Sequence, residues 1–222
     1  MRRLNADPTF VTVFDEFEEE TYEIPIDGNA LLAIVKGAFS SADLLGLLPS
    51  AIAAISAGDT EPLSFFASLS TFTSYGFAEG MYFSVMCAEE VPFNTPVEIE
   101  RASGGLPPEL AGEAGTLSRS LAGECEAWQT PPLPEIENAP VVSDVRALVL
   151  AGHFDSITPP SYGRRAAETL SRAYYFEFPA AGHGVLAPGC PMMMLAAFLN
   201  DLTVSPDLGC HGESSLEFLI TE

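Results

Sequence analysis

Residues 145–200 alternate between short apolar runs and helical patterns, and this alternation constrains the fold more than any other feature of the chain. The run VRALVLA at residues 145–151 is almost wholly apolar, as is typical of a parallel strand buried on both faces. Thr158 as the cap and the prolines after it predict a helix start, and residues 174–178 (YYFEF) predict the next strand. A last apolar helix is predicted to begin near Pro191. The order strand, helix, strand, helix predicts an α/β fold with a parallel sheet.

The earlier part of the chain has a different pattern, because helical periodicity replaces the alternation. Four segments carry apolar residues at helical spacing, namely residues 29–39, 41–57, 60–72 and 76–90. They follow a strand-like segment that contains an acidic cluster, and Asp27 is placed to cap the first helix. Residues 96–140 become rich in Pro, Gly and Glu, which indicates a domain or subdomain boundary. The expected regions are a lead-in segment at 1–27, a helical region at 28–140, an α/β region at 141–210 and a tail at 211–222.

The charge balance argues against one large class of partner. The 222-residue chain has 31 Asp and Glu against 9 Lys and Arg, which gives a formal charge of −22. Nucleic-acid binding needs clustered basic side chains, so no nucleic acid is expected as a partner. The longest uncharged run, residues 178–200, is interrupted by several prolines and glycines, so no membrane span is expected.

The cysteines and the first residues bear on the cellular compartment. The four cysteines lack the CxxC spacing of a zinc or redox site, and their even number allows two disulfides in three pairings. Disulfides are typical of exported proteins, which favours an extracytoplasmic location. The opening sequence has no apolar segment before Asp7 and Pro8, so it is not a secretory signal as it stands. The sequence alone therefore leaves two hypotheses, a cytoplasmic protein or a natural N-terminus further upstream.

Two residues stand where an α/β sheet collects its functional groups. Asp155 lies four residues after the first predicted strand, and His183 lies five residues after the second. In an open parallel sheet, the loops after the carboxyl ends of neighbouring strands meet at one edge. A carboxylate placed there can accept the Nδ1 proton of an imidazole and stabilise the imidazolium that forms during proton transfer. The alternatives are that Asp155 caps the following helix and that His183 is a structural residue in a glycine turn.

The other histidines are weaker candidates. His153 is expected to be a loop residue, and His211 is expected to be exposed to solvent in the tail. The three histidines are not at metal-ligand spacing with carboxylates or thiolates, so no metal site and no cofactor are expected.

The segments VRALVLAGHFDSITPPSYGRRAAETL and YYFEFPAAGHGVLAPGCP resemble the last third of an α/β-hydrolase. Three motifs narrow the resemblance to the tripeptidyl-aminopeptidase-like (TAP-like) serine peptidases, which are relatives of prolyl aminopeptidase. These are the G-x-F-D-x-x-T-P-P turn at 152–160, the G-H-G-V turn at 182–185 and the lid-like GMYFSVMCAEEVPF at 80–93. The resemblance covers roughly residues 76–210.

The resemblance implies roles that composition and spacing do not establish. It implies that Asp155 is the acid and His183 the general base of a Ser-His-Asp triad. It also implies that the helical region forms much of a cap, that substrates are short peptides cleaved from a free N-terminus, and that the full-length protein acts outside the cytoplasm. Glu79, Glu89 and Glu90 would pair with the ammonium group of the substrate; the alternative is that they are surface charges.

The preferred cysteine pairings follow from the cap and the last helix that the resemblance implies. Cys87 with Cys125 would lie within the cap, and Cys190 with Cys210 would bracket the last helix. Free buried thiols remain the alternative.

The family's nucleophile is not found in this sequence. It sits in a G-x-S-x-G turn upstream of the acid, and no serine here has glycine at both flanking positions, with Ser56, Ser103 and Ser161 the nearest misses. The sequence therefore predicts the C-terminal portion of a longer hydrolase. The strand around residue 148 would then expose an edge and an apolar face.

Three functional hypotheses follow. The first is an exopeptidase region that is inactive alone and works with its own missing N-terminal half. The second is an esterase of the same fold, because one scaffold supports many chemistries. The third is a non-catalytic half-hydrolase that binds a partner, so whether this chain is itself an enzyme stays open.

Overall fold

The chain is described here by a computed structural model that covers residues 1–15, 18–72, 77–213 and 215–220. Parts of three predicted segments lie outside the described residues: positions 16 and 17 of the acidic cluster, position 76 of the fourth helix, and positions 214, 221 and 222 of the tail. The chain divides into two compact units. The first comprises Met1–Phe10, Pro25–Asn29 and Thr71–Ala139, and the second comprises Val11–Ile24, Ala30–Ser70 and Pro140–Glu222.

The elements follow one another as helices with two pairs of strands. In chain order they are α1 (Arg2–Ala6), β1 (Thr9–Asp15), β2 (Glu20–Ile26), α2 (Gly28–Ala38), α3 (Ala42–Ala57), α4 (Glu61–Phe72), α5 (Glu79–Val85), α6 (Pro96–Ser103), α7 (Pro108–Trp128), β3 (Ala147–Gly152), α8 (Pro160–Glu168), β4 (Ala173–Phe178) and α9 (Cys190–Asn200). A π-helical turn, Met86–Glu90, and a 3-10 turn, Val91–Phe93, follow α5, and another 3-10 turn, Glu135–Asn138, follows α7. None of the helices in the described ranges is long and apolar enough to cross a membrane.

Local signals account for the helices of the early part of the chain. The carboxylate of Asp27 accepts a hydrogen bond from the amide of Asn29 over 2.9 Å, so it caps α2 as expected. Helix α3 contains Pro49 and ends at Gly58, whose φ of 98° is a left-handed conformation that glycine adopts without strain. These ends agree with the predicted segments to within a residue or two.

Residues 96–140, where the sequence indicated a domain or subdomain boundary, are mostly helical, because α6 and the 21-residue α7 occupy most of this stretch. The change from one unit to the other falls at its end, between Ala139 and Pro140. Helix α6 begins with a capping box in which the side chains of Thr95 and Glu98 each bond the other's backbone amide. Each glycine inside α7 costs roughly 1 kcal/mol of helix propensity, so α7 depends on tertiary contacts. Its last turn has them: Trp128 donates from Nε1 to the Ser84 hydroxyl over 3.1 Å, and Cys125 is disulfide-bonded to Cys87.

The second unit contains the parallel sheet. Strand β3 pairs with β4 in parallel from Ala147 opposite Ala173 to Gly152 opposite Phe178. Helix α8 covers one face, where Gly163 lies against Val149 and Tyr175. Helices therefore connect parallel strands here, and this part of the chain is α/β as predicted.

Helix α9 covers the opposite face of the sheet. The ring of its Phe198 contacts the ring of Tyr174 on β4, with the centroids 6.3 Å apart and the planes nearly perpendicular. Met194 of α9 is fully buried, as is typical of a helix that faces a core. The cysteines at positions 190 and 210 are joined, so a disulfide ties the start of α9 to the tail.

Residues 30–70 belong to the unit that contains the parallel sheet, although the sequence grouped them with the helical region at 28–140. Backbone hydrogen bonds explain this. The amide of His183 donates to the carbonyl of Phe39 over 3.3 Å, and the amide of Leu219 donates to the carbonyl of Gly46 over 2.9 Å. Both contacts join residues more than 100 positions apart, which sequence periodicity cannot indicate.

In the part of the chain that the structure describes, no strand pairs with the edge of β3 that does not face β4, and this edge is called the open edge. Within the described residues, β4 is the only strand paired with β3, which leaves unpaired backbone groups along the other edge. Apolar side chains lie in the approach to the strand, where Val141, Val142 and Val145 are 71%, 83% and 69% exposed. An exposed group of this kind is typical of a surface that another polypeptide covers.

Replacing Cys190 and Cys210 by serine should destabilise the second unit. The bond closes a loop with a sequence separation of 20 residues, for which the chain-entropy estimate is a loss of about 3 kcal/mol in the free energy of unfolding. Urea unfolding followed by circular dichroism measures the change. Reductant added to the variant should then cause only the further loss due to the Cys87–Cys125 bond, and an unchanged unfolding midpoint of the variant would contradict the prediction.

Candidate active site

The loops after β3 and β4 are held together by their backbones. The amide of Phe154 donates to the carbonyl of Ala181 over 2.9 Å. Gly152, the last residue of β3, lies so close to the other loop that a Cβ at this position would collide with the carbonyl oxygen of Gly182. Only glycine permits this approach, and it brings the two loops that carry the predicted acid and base into direct contact.

The first of these loops wraps around the carboxylate of Asp155, whose side chain is only 5% exposed. Its Oδ1 accepts hydrogen bonds from the amides of Ile157 and Thr158 over 2.8 and 2.7 Å. Its Oδ2 accepts one from the Thr158 hydroxyl over 2.7 Å. Asp155 therefore closes the turn before α8 but does not cap the helix itself. The N-cap of α8 is Pro159 and not the predicted Thr158.

The balance of burial and hydrogen bonding keeps Asp155 ionised. Burial is the largest single effect and by itself raises the pKa of Asp155. The hydrogen bonds from the amide and hydroxyl of Thr158, from His183 and from the amide of Ile157 together outweigh it, so the pKa lies below the ordinary value of 3.8. Asp155 is consequently a carboxylate at neutral pH, as an acid that orients an imidazole must be.

His183 faces this carboxylate. Its Nδ1 lies 3.0 Å from Oδ2 and 3.2 Å from Oδ1 of Asp155, while its side chain is 42% exposed. The carboxylate only accepts, so a neutral His183 carries its proton on Nδ1. Nε2 is then left as the basic nitrogen on the opposite side of a ring that solvent or substrate can reach.

Thr158 and Phe39 complete the surroundings of His183. The Thr158 hydroxyl lies 3.4 Å from Nδ1, and the His183 amide is held by the carbonyl of Phe39. The contact with Phe39 could not be predicted from the sequence, because Phe39 contributes a backbone carbonyl from a distant segment. Thr158 is the threonine of the G-x-F-D-x-x-T-P-P motif. From the sequence it was expected to cap a helix, and its contact with Asp155 and His183 was not predicted.

An apolar cavity of about 380 Å³ adjoins the pair. Leu148 and Leu150 of β3 line it with Leu195 of α9, and the loop after His183 contributes Val185 and Leu186. Asp155, Thr158 and His183 form its polar side. Such a cavity can hold an apolar group next to a proton-transfer pair.

The other two histidines lie in separate clusters. His153 is an exposed loop residue as expected, and its Nδ1 lies 2.7 Å from Oε1 of Glu177. The expectation for His211 is wrong, because its side chain is only 30% exposed. It lies 3.2 Å from a carboxylate oxygen of Asp207, and its ring packs on Phe176 and Phe178. His211 packs on aromatic side chains of β4 that are more than 30 positions away along the chain, so local sequence patterns could not indicate this contact.

The three predicted ammonium-binding carboxylates lie in the first unit, and all are exposed. Glu79 is in the first turn of α5, and Glu89 and Glu90 are in the π-helical turn after it. Glu90 also lines a cavity of about 890 Å³ together with Glu100, Arg119 and the apolar side chains of Met86 and Ile99. In the part of the chain that the structure describes, no group of three or more His, Cys, Asp or Glu residues could hold a metal ion.

The four cysteines form two bonds, Cys87 with Cys125 and Cys190 with Cys210, which are the pairings preferred from the sequence. Each bond lies within one unit of the chain. No described cysteine is free.

The sequence comparisons agree with this geometry. Residues 113–210 match the model of an α/β-hydrolase family described as TAP-like protein. This segment contains β3, β4 and both residues of the Asp155–His183 pair. No significant match was found among curated proteins or among solved structures.

Parallel strands with helices on both faces, and an Asp-His pair on the loops after them, are features that this part of the chain shares with α/β-hydrolases. Residues 113–210 are similar to the C-terminal domain of the TAP-like α/β-hydrolases.

Replacing Thr158 by valine should raise the pKa of Asp155, because valine keeps the side-chain shape but removes the hydroxyl donor. The loss of the hydrogen bond that the exposed Thr158 side chain donates to the buried Asp155 carboxylate should lower the free energy of unfolding by about 1 kcal/mol. Thr158→Ser keeps the donor and is the matched control. NMR titration of the Asp155 carboxyl carbon measures the pKa, and equal values in the two variants would contradict the assignment.

The stability of wild type relative to Asp155→Asn should depend on pH in a defined direction. Because the pKa of Asp155 is lower in the folded chain than its ordinary value of 3.8, ionised Asp155 contributes its full stabilisation above that value. The contribution should decrease as the pH falls below 3.8 toward the lower folded pKa. Urea unfolding of both proteins at several pH values measures it, and a constant difference across the acidic range would contradict the prediction.

Proposed function

We propose that this chain supplies the acid and the general base of a Ser-His-Asp hydrolase, with Asp155 as the acid and His183 as the base. The observation that carries the proposal is the 3.0 Å contact between His183 Nδ1 and a buried, ionised Asp155, beside an accessible imidazole. The His183 side chain is 42% exposed, so a substrate can reach the ring. The position of both residues after adjacent parallel strands supports the same reading.

The chemistry follows from the orientation of the ring. Asp155 fixes the tautomer, so Nε2 of His183 can accept the proton of an attacking serine hydroxyl. The imidazolium formed is stabilised by the carboxylate and then gives its proton to the leaving group of the substrate. In our proposal the serine comes from outside the given sequence. The absence of a G-x-S-x-G turn supports this, as does the absence of a hydrogen bond between His183 and any serine within the described ranges.

The proposed substrates are short peptides cleaved from a free N-terminus. The resemblance to TAP-like peptidases supports this choice, and the carboxylates of Glu79, Glu89 and Glu90 offer partners for an ammonium group. Ester substrates are the alternative within the same fold, because the same Asp-His pair can serve the hydrolysis of a peptide bond or of an ester bond. Two disulfides support action outside the cytoplasm.

A second candidate function is binding without catalysis, and the open edge of β3 favours it. A polypeptide that adds a parallel strand there would satisfy the unpaired backbone groups and cover the exposed valines at 141, 142 and 145. The same edge suits the first proposal, since the serine-bearing half of a hydrolase would dock there. The catalytic and the binding function differ in whether the assembled site hydrolyses a substrate.

The decisive experiment uses the longest polypeptide that contains this chain in frame. It should release short peptides from unblocked peptide substrates and should react with a fluorophosphonate probe. His183→Ala and Asp155→Asn should each lower kcat by about 10⁴-fold, because the serine then has no correctly oriented base. Peptide and ester substrates compared side by side distinguish the first function from its esterase alternative.

Asp201→Asn is the matched control for Asp155→Asn. Asp201 also accepts hydrogen bonds from the amide and hydroxyl of a threonine, Thr203, over 2.8 and 2.6 Å, but no histidine contact is described for it. This variant should keep full activity. Normal turnover in His183→Ala would overturn the catalytic proposal, and a folded protein that never labels with the probe would support the binding function.

A further inference from the structure

A second cluster of charged groups lies beside the Asp-His pair and has no role in the chemistry proposed above. Glu177 is on β4, opposite Ala151 of β3, and its side chain is 21% exposed. Its Oε1 lies 2.7 Å from Nδ1 of His153. Its Oε2 pairs with the guanidinium of Arg164 and lies 3.2 Å from the hydroxyl of Tyr175. One carboxylate therefore binds three side chains from three elements.

These partners bracket the loop that carries Asp155. His153 stands two residues before Asp155, at the start of the loop, and its own amide donates to the carbonyl of Phe178 over 3.0 Å. Arg164 is in the helix that follows the loop. Glu177 thus connects both ends of the Asp155 loop to the strand that leads to His183.

Tyr175 adds a further link to the end of the loop. Its hydroxyl lies 3.3 Å from the carbonyl oxygen of Pro160, the first residue of α8, as well as near Glu177. The guanidinium of Arg164 lies 5.8 Å from the centroid of the Tyr175 ring, within the range of a cation–π contact. The start of α8 is therefore fixed to β4 by aromatic, charged and hydrogen-bonded contacts together.

The electrostatics agree with this arrangement. The hydrogen bond from His153 is the largest effect on the pKa of Glu177, and with the positive charge of Arg164 it holds that pKa below its ordinary value despite burial. Burial, followed by the charge of Glu177, raises the pKa of Tyr175, so the tyrosine stays a hydrogen-bond donor. Only 9 residues of the chain are Lys or Arg, and one of them is used here.

We propose that Glu177 is a positioning residue, which holds the Asp155 loop at both ends and thereby sets the geometry between Asp155 and His183. Its significance for catalysis rests on the proposed function. Its effect on the geometry does not, because that effect can be measured without substrate.

The experiment follows the imidazole nitrogens of His183 by long-range proton–nitrogen NMR on the full chain. With three histidines in the sequence, each ring can be assigned by substitution. In Glu177→Ala, we expect His183 to lose its preference for the Nδ1–H tautomer and its nitrogen shifts to move toward those of free imidazole. Hydrogen exchange at the amides of Ile157 and Thr158 should become about tenfold faster, the factor that corresponds to one charge-assisted hydrogen bond.

Glu177→Gln should restore part of both signals, because glutamine can still accept from Arg164 and Tyr175. Asp207→Asn is the matched control: it removes another carboxylate that contacts a histidine, His211, in the same unit, and should leave His183 unchanged. If Glu177→Ala does not fold, His153→Ala removes one exposed partner and should change the same signals less.

The proposal would be overturned if Glu177→Ala folds with a lower melting temperature but leaves the His183 nitrogen shifts and the hydrogen exchange of the loop unchanged. If Glu177→Ala does not fold, unchanged His183 shifts and loop exchange in His153→Ala would overturn it. A failed hydrolase assay would leave this result intact, so the two proposals can fail separately.

Discussion

The buried carboxylate of Asp155 is the interaction on which the candidate site depends. A charge with 5% of its side chain exposed is tolerated only if its oxygens are satisfied, and donors from its own loop do most of this. The amides of Ile157 and Thr158 point inward to reach it, so the turn adopts the shape that the charge requires. The loop conformation and the ionised state of Asp155 therefore stabilise each other. His183 adds one contact to a carboxylate that is already held in place.

The parts of the fold that sequence could predict are those set by local pattern. The apolar run of β3, the aromatic run of β4 and the helical periodicities of α2 to α4 were readable because burial imposes a period on each element. Asp155 and His183 were readable because strand ends in a parallel sheet meet at one edge. Each of these inferences needed only a short window of residues.

The remaining features depend on contacts between distant residues. Helix α7 was missed because its glycines disfavour a helix locally, and the contacts of Trp128 and Cys125 that hold its last turn come from another segment. The support of the His183 loop by Phe39 is a backbone contact, which any side chain at that position would allow. In the sequence, Glu177 is a single charged residue within an aromatic strand, and its proposed role becomes visible only from its contacts with His153 and Arg164. Pattern thus indicated where the site lies, and tertiary contacts determine how it is held.

The stretch from His183 to α9 is anchored at both of its ends. At one end the amide of His183 bonds to Phe39, and at the other the Cys190–Cys210 bond anchors the helix start. Between these anchors, Val185 and Leu186 line the cavity beside the pair. Changes of sequence or length at residues 184–189 would therefore alter what the cavity accepts while the imidazole keeps its place. In the proposed enzyme, substrate range and proton transfer could therefore change independently under natural selection, although both depend on a single loop of the chain.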